Sequence, residues 1–292
     1  MVNLEGVFTA LVTPFKSGEV DWTSLKKLVR YQLDSGVSGL VVGGTTAESP
    51  TLSSEEKRKI FDYVNVESGH AIPLVMGTGS NSTTETIAAT KKAKEWGADA
   101  ALVVVPYYNK PSQRGLFLHY QAVARDGGLP VILYNVPSRT ITKLELSTIQ
   151  DLSRVPGIVA IKEASGDLEF GGQIVSTTKL LLSSGDDGTY LPLVAKGGRG
   201  VISVISNLIP KETEQLLRSA RAGDVKGAAS AFEDRYGALN GSLYVEANPI
   251  PVKYALYKMG VIASAEMRLP LTELDEKHRT LLDGNLKKAG LL

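Results

Sequence analysis

The sequence predicts an α/β protein, a (β/α)8 TIM barrel with a C-terminal helical extension. Three observations predict it. Over residues 1–223, eight short runs rich in β-branched and apolar residues alternate with amphipathic segments, the pattern of repeated β/α units. The first run leads into Thr13-Pro14-Phe15 and not into the glycine-rich fingerprint of an open dinucleotide-binding sheet. After Val204 the strand pattern stops and only helical patterns follow. Residues 224–292 therefore read as an appendage to the barrel, small for a separate domain.

The strand runs are 6–15, 39–44, 73–79, 100–108, 130–136, 158–164, 180–186 and 200–204. Most are apolar at successive positions, as expected of strands covered on both faces of a parallel sheet. The helical segments between them have readable ends. Asp21 can cap a helix with the apolar face Trp22, Leu25, Leu28, Val29 and Leu33, and Gly36 ends it. Ser53 and Glu56 form a capping box ahead of Ile60 and Val64. A further helix over 83–96 closes at Gly97. Segments 210–222, 224–244, 249–259 and 272–286 read as consecutive helices; the first closes the barrel and the others build the extension.

A chain of 292 residues can bury a large core. Its formal net charge is +1 with both signs interspersed, so no basic stripe points to nucleic acid. There is no cysteine, which excludes disulfides, thiolate catalysis and cysteine metal sites, and fits a reducing compartment. The first residues lack a basic segment followed by a cleavable apolar core, and no apolar stretch is long enough to span a bilayer. The expectation is a cytoplasmic protein without membrane or nucleic-acid partners.

Catalytic residues of such barrels sit where strands end and the following loops begin. Lys162 ends the run Ile158-Val159-Ala160-Ile161 and has little access to bulk water. Desolvation disfavours an ammonium, and a neutral amine attacks carbonyl carbon, so Lys162 is the candidate Schiff-base residue. A lysine that snorkels to solvent is the bland alternative. Other strand ends carry Gly43-Gly44-Thr45-Thr46, Tyr107-Tyr108-Asn109, Tyr134-Asn135-Val136-Pro137-Ser138-Arg139 and Ser184-Gly185-Asp186-Asp187. Taken singly, these could be turns, core aromatics, surface charges or helix caps. Together, hydroxyls and amides suited to a carboxylate, a nucleophilic lysine and phenols able to pass protons describe an aldolase-type site for a 2-oxo acid. His70, His119 and His278 are isolated and lack ligand spacing, so no metal site is expected. Gly197-Gly198-Arg199-Gly200 precedes its strand, on the wrong rim for a phosphate, and reads as a turn.

The segments GVFTALVTPF, GGTTAESPTLS, GTGSNSTTE, PYYNKPSQRGL, LYNVPSRT, IKEASGD, GVISV, NPIPVKYAL and RLPLT resemble the dihydrodipicolinate synthase/N-acetylneuraminate lyase family nearly end to end. YNVPSRT and PYYNKPSQ are similar to its synthase branch; lyases and sugar-acid aldolases of the family as a rule lack the arginine at the Arg139 position. The resemblance implies condensation of pyruvate with L-aspartate-4-semialdehyde on the route to diaminopimelate and lysine, with no metal or organic cofactor. It implies that Lys162 forms the imine, Tyr134 shuttles protons, and Thr45 links Tyr134 to Tyr108. Thr46 would hold the pyruvate carboxylate, Arg139 the carboxylate of the aldehyde, and Gly185 and Ile202 would line the pocket with backbone groups. It also implies a homotetramer built from tight dimers, with Tyr107 in the dimer contact. The alternatives are a sugar-acid aldolase, such as N-acetylneuraminate lyase or 2-keto-3-deoxygluconate aldolase, and a catalytically silent barrel that binds a 2-oxo acid. A polyol substrate wants neutral groups where Arg139 stands.

Several positions depart from the family pattern or bear on regulation. Ala47 stands where the family turn usually has glycine, and would be strained if that position needs a positive φ. Ala160 and Ile141 also replace residues that are commonly glycine or small. Lysine-inhibited members bind lysine at positions matching Asn81, Glu85 and Tyr107, but Ser54 and Lys57 stand where inhibited bacterial members carry histidines. A positive charge at Lys57 would repel the amino groups of lysine, so weak sensitivity or none is expected.

Overall fold

The computed structural model describes residues 2–292. Strand β1 (Gly6–Ala10) is followed by a small antiparallel hairpin of β2 (Phe15–Lys16) and β3 (Glu19–Val20). The remaining strands are β4 (Gly39–Val42), β5 (Leu74–Gly77), β6 (Ala100–Val104), β7 (Val131–Asn135), β8 (Ile158–Glu163), β9 (Leu181–Ser184) and β10 (Gly200–Ser203). β1 and β4 to β10 form a closed barrel of eight parallel strands, in which β10 returns to pair with β1. The expected barrel is borne out. Every strand run extends past its observed strand, because the last residues of each run belong to the loops that carry the site.

Helices α1 (Trp22–Asp34), α2 (Ser54–Ser68), α3 (Thr83–Trp96), α4 (Gln113–Gly127), α5 (Pro137–Thr140), α6 (Leu146–Leu152), α7 (Leu168–Thr177), α8 (Tyr190–Ala195) and α9 (Pro210–Arg221) lie between and after the strands. The Asp21 carboxylate accepts from the Ser24 amide at 3.1 Å and starts α1. Trp22, placed on the apolar face by pattern, is instead exposed at the first turn and leans on Tyr63, with ring centroids 5.3 Å apart. The capping box of α2 is complete: Ser53 Oγ accepts from the Glu56 amide at 3.1 Å and Glu56 accepts from the Ser53 amide at 2.8 Å.

After α9 come α10 (Val225–Phe232), α11 (Ala238–Ser242), α12 (Ile250–Lys258) and α13 (Glu276–Lys288). A π-turn over Glu233–Gly237 joins α10 to α11, so the single expected helix is one path with a widened turn. The last helix starts at Glu276, not at Thr272, because Asp275 caps it and Pro270 lies just upstream. Phe232, Leu239, Leu243, Val252, Leu256, Leu282 and Leu286 join one continuous apolar cluster with the outer faces of the strands. A second cluster fills the barrel: Phe8, Ala10, Val41, Val75, Leu102, Ile132, Tyr134, Ala160 and Ile202. Ala160 is thus interior packing. Among the described residues no helix is long and apolar enough to cross a membrane.

Candidate active site

Strands β7 and β8 set the geometry. Val131 pairs with Ile158 and Ile132 with Ala160, so Val159 is an extra residue on β8. That bulge puts Tyr134 opposite Lys162; without it Tyr134 would stand opposite Ile161. Both side chains then point into the barrel, in the same alternating set as Ile132 and Ala160. Lys162 is 6 % exposed, and its Nζ lies 4.3 Å from the centre of the Tyr134 ring. Outward from the same strand ends, Asn135 Nδ2 donates to Glu163 at 2.8 Å and the Ser165 amide donates to Glu163 at 2.6 Å. Asn135 Oδ1 accepts from the Leu144 amide at 3.0 Å. This buried polar clasp fixes the ends of β7 and β8. Burial raises the Glu163 pKa despite the hydrogen bonds that favour its anion.

Lys162 opens into a cavity of about 210 Å³ lined also by Thr45, Thr46, Tyr134, Arg139, Gly185, Asp186, Tyr244 and Asn248. Ile202 lies beneath it in the barrel interior. The structure therefore brings together Lys162, Tyr134, Thr45, Thr46, Arg139 and Gly185, all expected from sequence. Gly43, at φ +65 with the Met76 side chain against it, turns the chain out of β4 into the threonine segment. Thr45–Ala47 forms a short 3-10 turn. Ala47 is not in the left-handed region; Glu48 is, at φ +57, so the alanine is unstrained and the conformational demand falls one residue later. Ile141 does take a positive φ of +63 as it ends α5, and its side chain is 73 % exposed. That backbone fits the small residue common there.

Two residues of the site escaped sequence reasoning, both from the C-terminal segment. Asn248 Nδ2 donates to Thr46 Oγ1 at 3.0 Å, and the Asn248 carbonyl accepts from Arg139 Nη2 at 3.1 Å. It ties the two proposed carboxylate-binding residues together. Its Oδ1 is buried without a partner. The signal was the segment NPIPVKYAL, which carries the family resemblance and a helix start but marks no residue as part of the site. The Tyr244 side chain is partly exposed and lines the pocket. Burial, with Asp187 and Asp186 close by, raises its pKa well above the ordinary phenol value. Asp187 faces away from the pocket: its Oδ2 accepts from the Val204 and Ile205 amides at 2.9 and 2.8 Å, and burial raises its pKa. Among the described residues no group of three His, Asp or Glu could hold a metal.

Tyr108 is not at Lys162. It has φ +74, is 88 % exposed, and does not line the Lys162 cavity. Tyr107 lines an adjoining cavity of about 400 Å³ that runs from Tyr134 and Arg139 past Thr45 to Lys57. Lys57 also borders a groove of about 280 Å³ with Ser54, Glu85 and Lys92. Asn81 contributes its carbonyl, which accepts from Asn109 Nδ2 at 2.8 Å and tethers the tyrosine loop. Burial alone pulls the Lys57 pKa down.

Comparison with known proteins agrees with this geometry. The model of the dihydrodipicolinate synthetase family matches residues 3–289. The chain is 50% identical over 294 residues to the 4-hydroxy-tetrahydrodipicolinate synthase of Bdellovibrio bacteriovorus, covering 100% of both chains. It is similar to the chloride-inhibited dihydrodipicolinate synthase of Acinetobacter baumannii complexed with pyruvate, with TM-score 0.96 and 44% identity over 99% of this chain and 100% of that one. It is similar also to the lysine-bound synthase of Cyanidioschyzon merolae, with TM-score 0.94 and 41% identity over 99% of each chain. From the strand-end lysine, the barrel that carries it and these relatives together, the chain belongs to the dihydrodipicolinate synthetase family.

Proposed function

We propose that this enzyme is a 4-hydroxy-tetrahydrodipicolinate synthase, condensing pyruvate with L-aspartate-4-semialdehyde on the route to diaminopimelate and lysine. The observation that carries the reading is one small cavity holding both Lys162 and Arg139. A nucleophilic amine and a guanidinium in the same pocket suit a ketone acid and a second carboxylate. A sugar acid has a single carboxylate, beside its ketone, and would leave Arg139 without a second anion to bind.

The Lys162 amine attacks C2 of pyruvate, and loss of water leaves an imine. Thr46 holds the pyruvate carboxylate through its hydroxyl and amide. The imine is an electron sink, so a methyl proton leaves and an enamine forms. The enamine carbon attacks the aldehyde, whose oxygen takes a proton and becomes the 4-hydroxyl. The amino group of the semialdehyde then attacks C2, closes the ring and frees Lys162. Tyr134 is the proton carrier, relayed through Thr45 to a Tyr108 supplied by a neighbouring subunit. Arg139 binds the semialdehyde carboxylate with its planar fork. Gly185 and Ile202 shape the pocket by backbone. The imine supplies the electrophilic activation, so no metal or organic cofactor is part of the proposal. The assembly is a homotetramer of tight dimers working in the cytoplasm.

Borohydride added with pyruvate is expected to leave one reduced pyruvate unit on Lys162 alone, mapped by peptide mass. Label elsewhere, or none, would sink the mechanism. Arg139→Ala should still trap pyruvate but lose about ten- to a hundredfold in kcat/KM for the semialdehyde, from a charge-assisted bond of roughly 1.5–3 kcal/mol. Loss of both steps together would make Arg139 structural. Lysine added to the same assay should inhibit weakly or not at all at sub-millimolar concentration, because Lys57 occupies the site of a cationic ligand; strong inhibition there would show that Lys57 does not guard it.

A further inference from the structure

Glu48 joins the two 3-10 turns Thr45–Ala47 and Ser49–Thr51. Its amide donates to the Thr45 carbonyl at 3.1 Å, and its own carbonyl accepts from the Thr51 amide at 3.0 Å. Its carboxylate is turned away from the Lys162 cavity, towards the C-terminal segment. Oε1 accepts from Lys253 Nζ at 2.7 Å and Oε2 accepts from the Arg268 amide at 3.0 Å. The Lys253 and Glu48 side chains are 0 % and 1 % exposed, the most deeply buried ion pair among the described residues. Burial pulls the Lys253 pKa down, and the Glu48 carboxylate pushes it back up.

The network extends on both sides. Lys253 Nζ also donates to the Glu266 carbonyl at 2.5 Å, while the Glu266 carboxylate accepts from the Ser17 and Gly18 amides. The Arg268 guanidinium donates to the Thr51 carbonyl at 3.0 Å, the Gly18 carbonyl at 2.9 Å and Glu56 at 2.6 Å. The buried Phe15 ring lies 4.3 Å from Lys253 Nζ and 4.3 Å from Arg268 Cζ. One segment of the C-terminal extension thus grips the turn after β4, the hairpin after β1 and the start of α2.

A buried ion pair is a poor source of stability, because desolvation of both charges offsets their attraction. Its distinctive contribution is direction: it fixes one geometry where an apolar pair would allow several. Here it fixes a non-glycine residue at φ +57, two positions after Thr46. We propose that Glu48, Lys253 and Arg268 are positioning residues that hold the Thr45–Thr46 turn in its pyruvate-binding shape, so that the C-terminal segment is a working part of the active site. Neither Glu48 nor Lys253 lines the lysine cavity, so both act through the turn. The inference rests on the reading of Thr46 as the holder of the pyruvate carboxylate.

The test uses Glu48→Gln, Lys253→Arg, the double variant Glu48→Leu/Lys253→Met and, in parallel, Thr46→Val. The double variant removes both charges and keeps apolar volume, so it avoids the unpaired buried charge that loss of one partner leaves. Its pyruvate KM is expected to rise about tenfold or more, with the KM for aspartate semialdehyde unchanged. Lys253→Arg should keep most of the wild-type pyruvate KM, and Glu48→Gln should follow the double variant. A double variant with wild-type pyruvate KM, or with both KM values rising together, overturns the proposal. Thr46→Val separates the two readings. If it leaves the pyruvate KM unchanged, the role of Thr46 fails; if it raises the KM while the double variant does not, positioning alone fails.

Discussion

A Cβ on Gly185 would stand 2.6 Å from the Ala164 Cβ, 2.8 Å from Lys162 Cε and 3.0 Å from Lys162 Cγ. These separations are below any van der Waals contact, so an alanine there must push the lysine stem aside. Gly185 is therefore glycine for the sake of Lys162, beyond whatever its backbone offers a substrate. Gly185→Ala should fold, because the change is one methyl group, yet lose about a hundredfold in the rate of borohydride-trapped imine. That is the typical effect of misplacing a reacting atom by roughly 1 Å. Wild-type trapping would show that the lysine has room to move. At this scale the sequence was informative where residue type was rare in context. Lys162 could be singled out because cations seldom end buried strands, and Arg139 through the resemblance that YNVPSRT carries. The clash that requires Gly185 was invisible, since it depends on how close β8 and β9 approach.

Helices α3 and α4 meet at a histidine that lacks any chemical role in the site. His119, on α4, is buried, with Nδ1 3.0 Å from Thr83 Oγ1 on α3 and Nε2 without a partner. Burial lowers its pKa to about 4, against an ordinary value of 6.5. In the fold it stays neutral through a range where the unfolded chain takes up a proton. The stability it leaves intact is complete above pH 6.5 and is lost as pH falls from 6.5 to 4, by at most roughly 3 kcal/mol. Glu56 is distinct. Arg268 holds its pKa near 2, so its contribution is present above the ordinary carboxylate pKa and fades only as pH falls towards 2. Urea unfolding of His119→Gln should show a flatter pH dependence than wild type between pH 6.5 and 4; equal slopes would remove His119 as the cause. The element boundaries explain what patterning can deliver. Caps at Asp21 and Ser53 were legible because short polar side chains before apolar periodicity have one structural use. The start of the last helix was misplaced by four residues because residues 272–275 are helix-compatible locally, whereas burial of Leu274 and the bond from the Asp275 amide to Glu246 at 2.9 Å are tertiary and leave no local pattern.

The closed barrel was legible because eight buried strands alternating with helices admit few other arrangements. The site was only half legible. Strand ends are found by counting along the chain, whereas Asn248 and Tyr244 reach the pocket from the loop between α11 and α12. Nothing local marks that approach. The same limit applies across chains. In one chain, Tyr108 stands in solvent, held at a positive φ in a loop tethered by Asn109 to Asn81. A tyrosine fixed outward in a costly backbone conformation is more readily explained by a destination in a second copy than by its own surroundings. A two-fold contact is self-complementary, so each subunit would lend Tyr108 to the other. Tyr108→Phe and Lys162→Ala subunits are each expected to be inactive. Refolded together in equal amounts, half of the dimers carry one of each chain. In such a dimer one site has both Lys162 and a borrowed Tyr108, and the other has neither. About a quarter of all sites should then recover activity, if assortment is random. If Tyr108 served its own chain, every site in every mixed dimer would lack one residue, and activity would stay at the level of the parents.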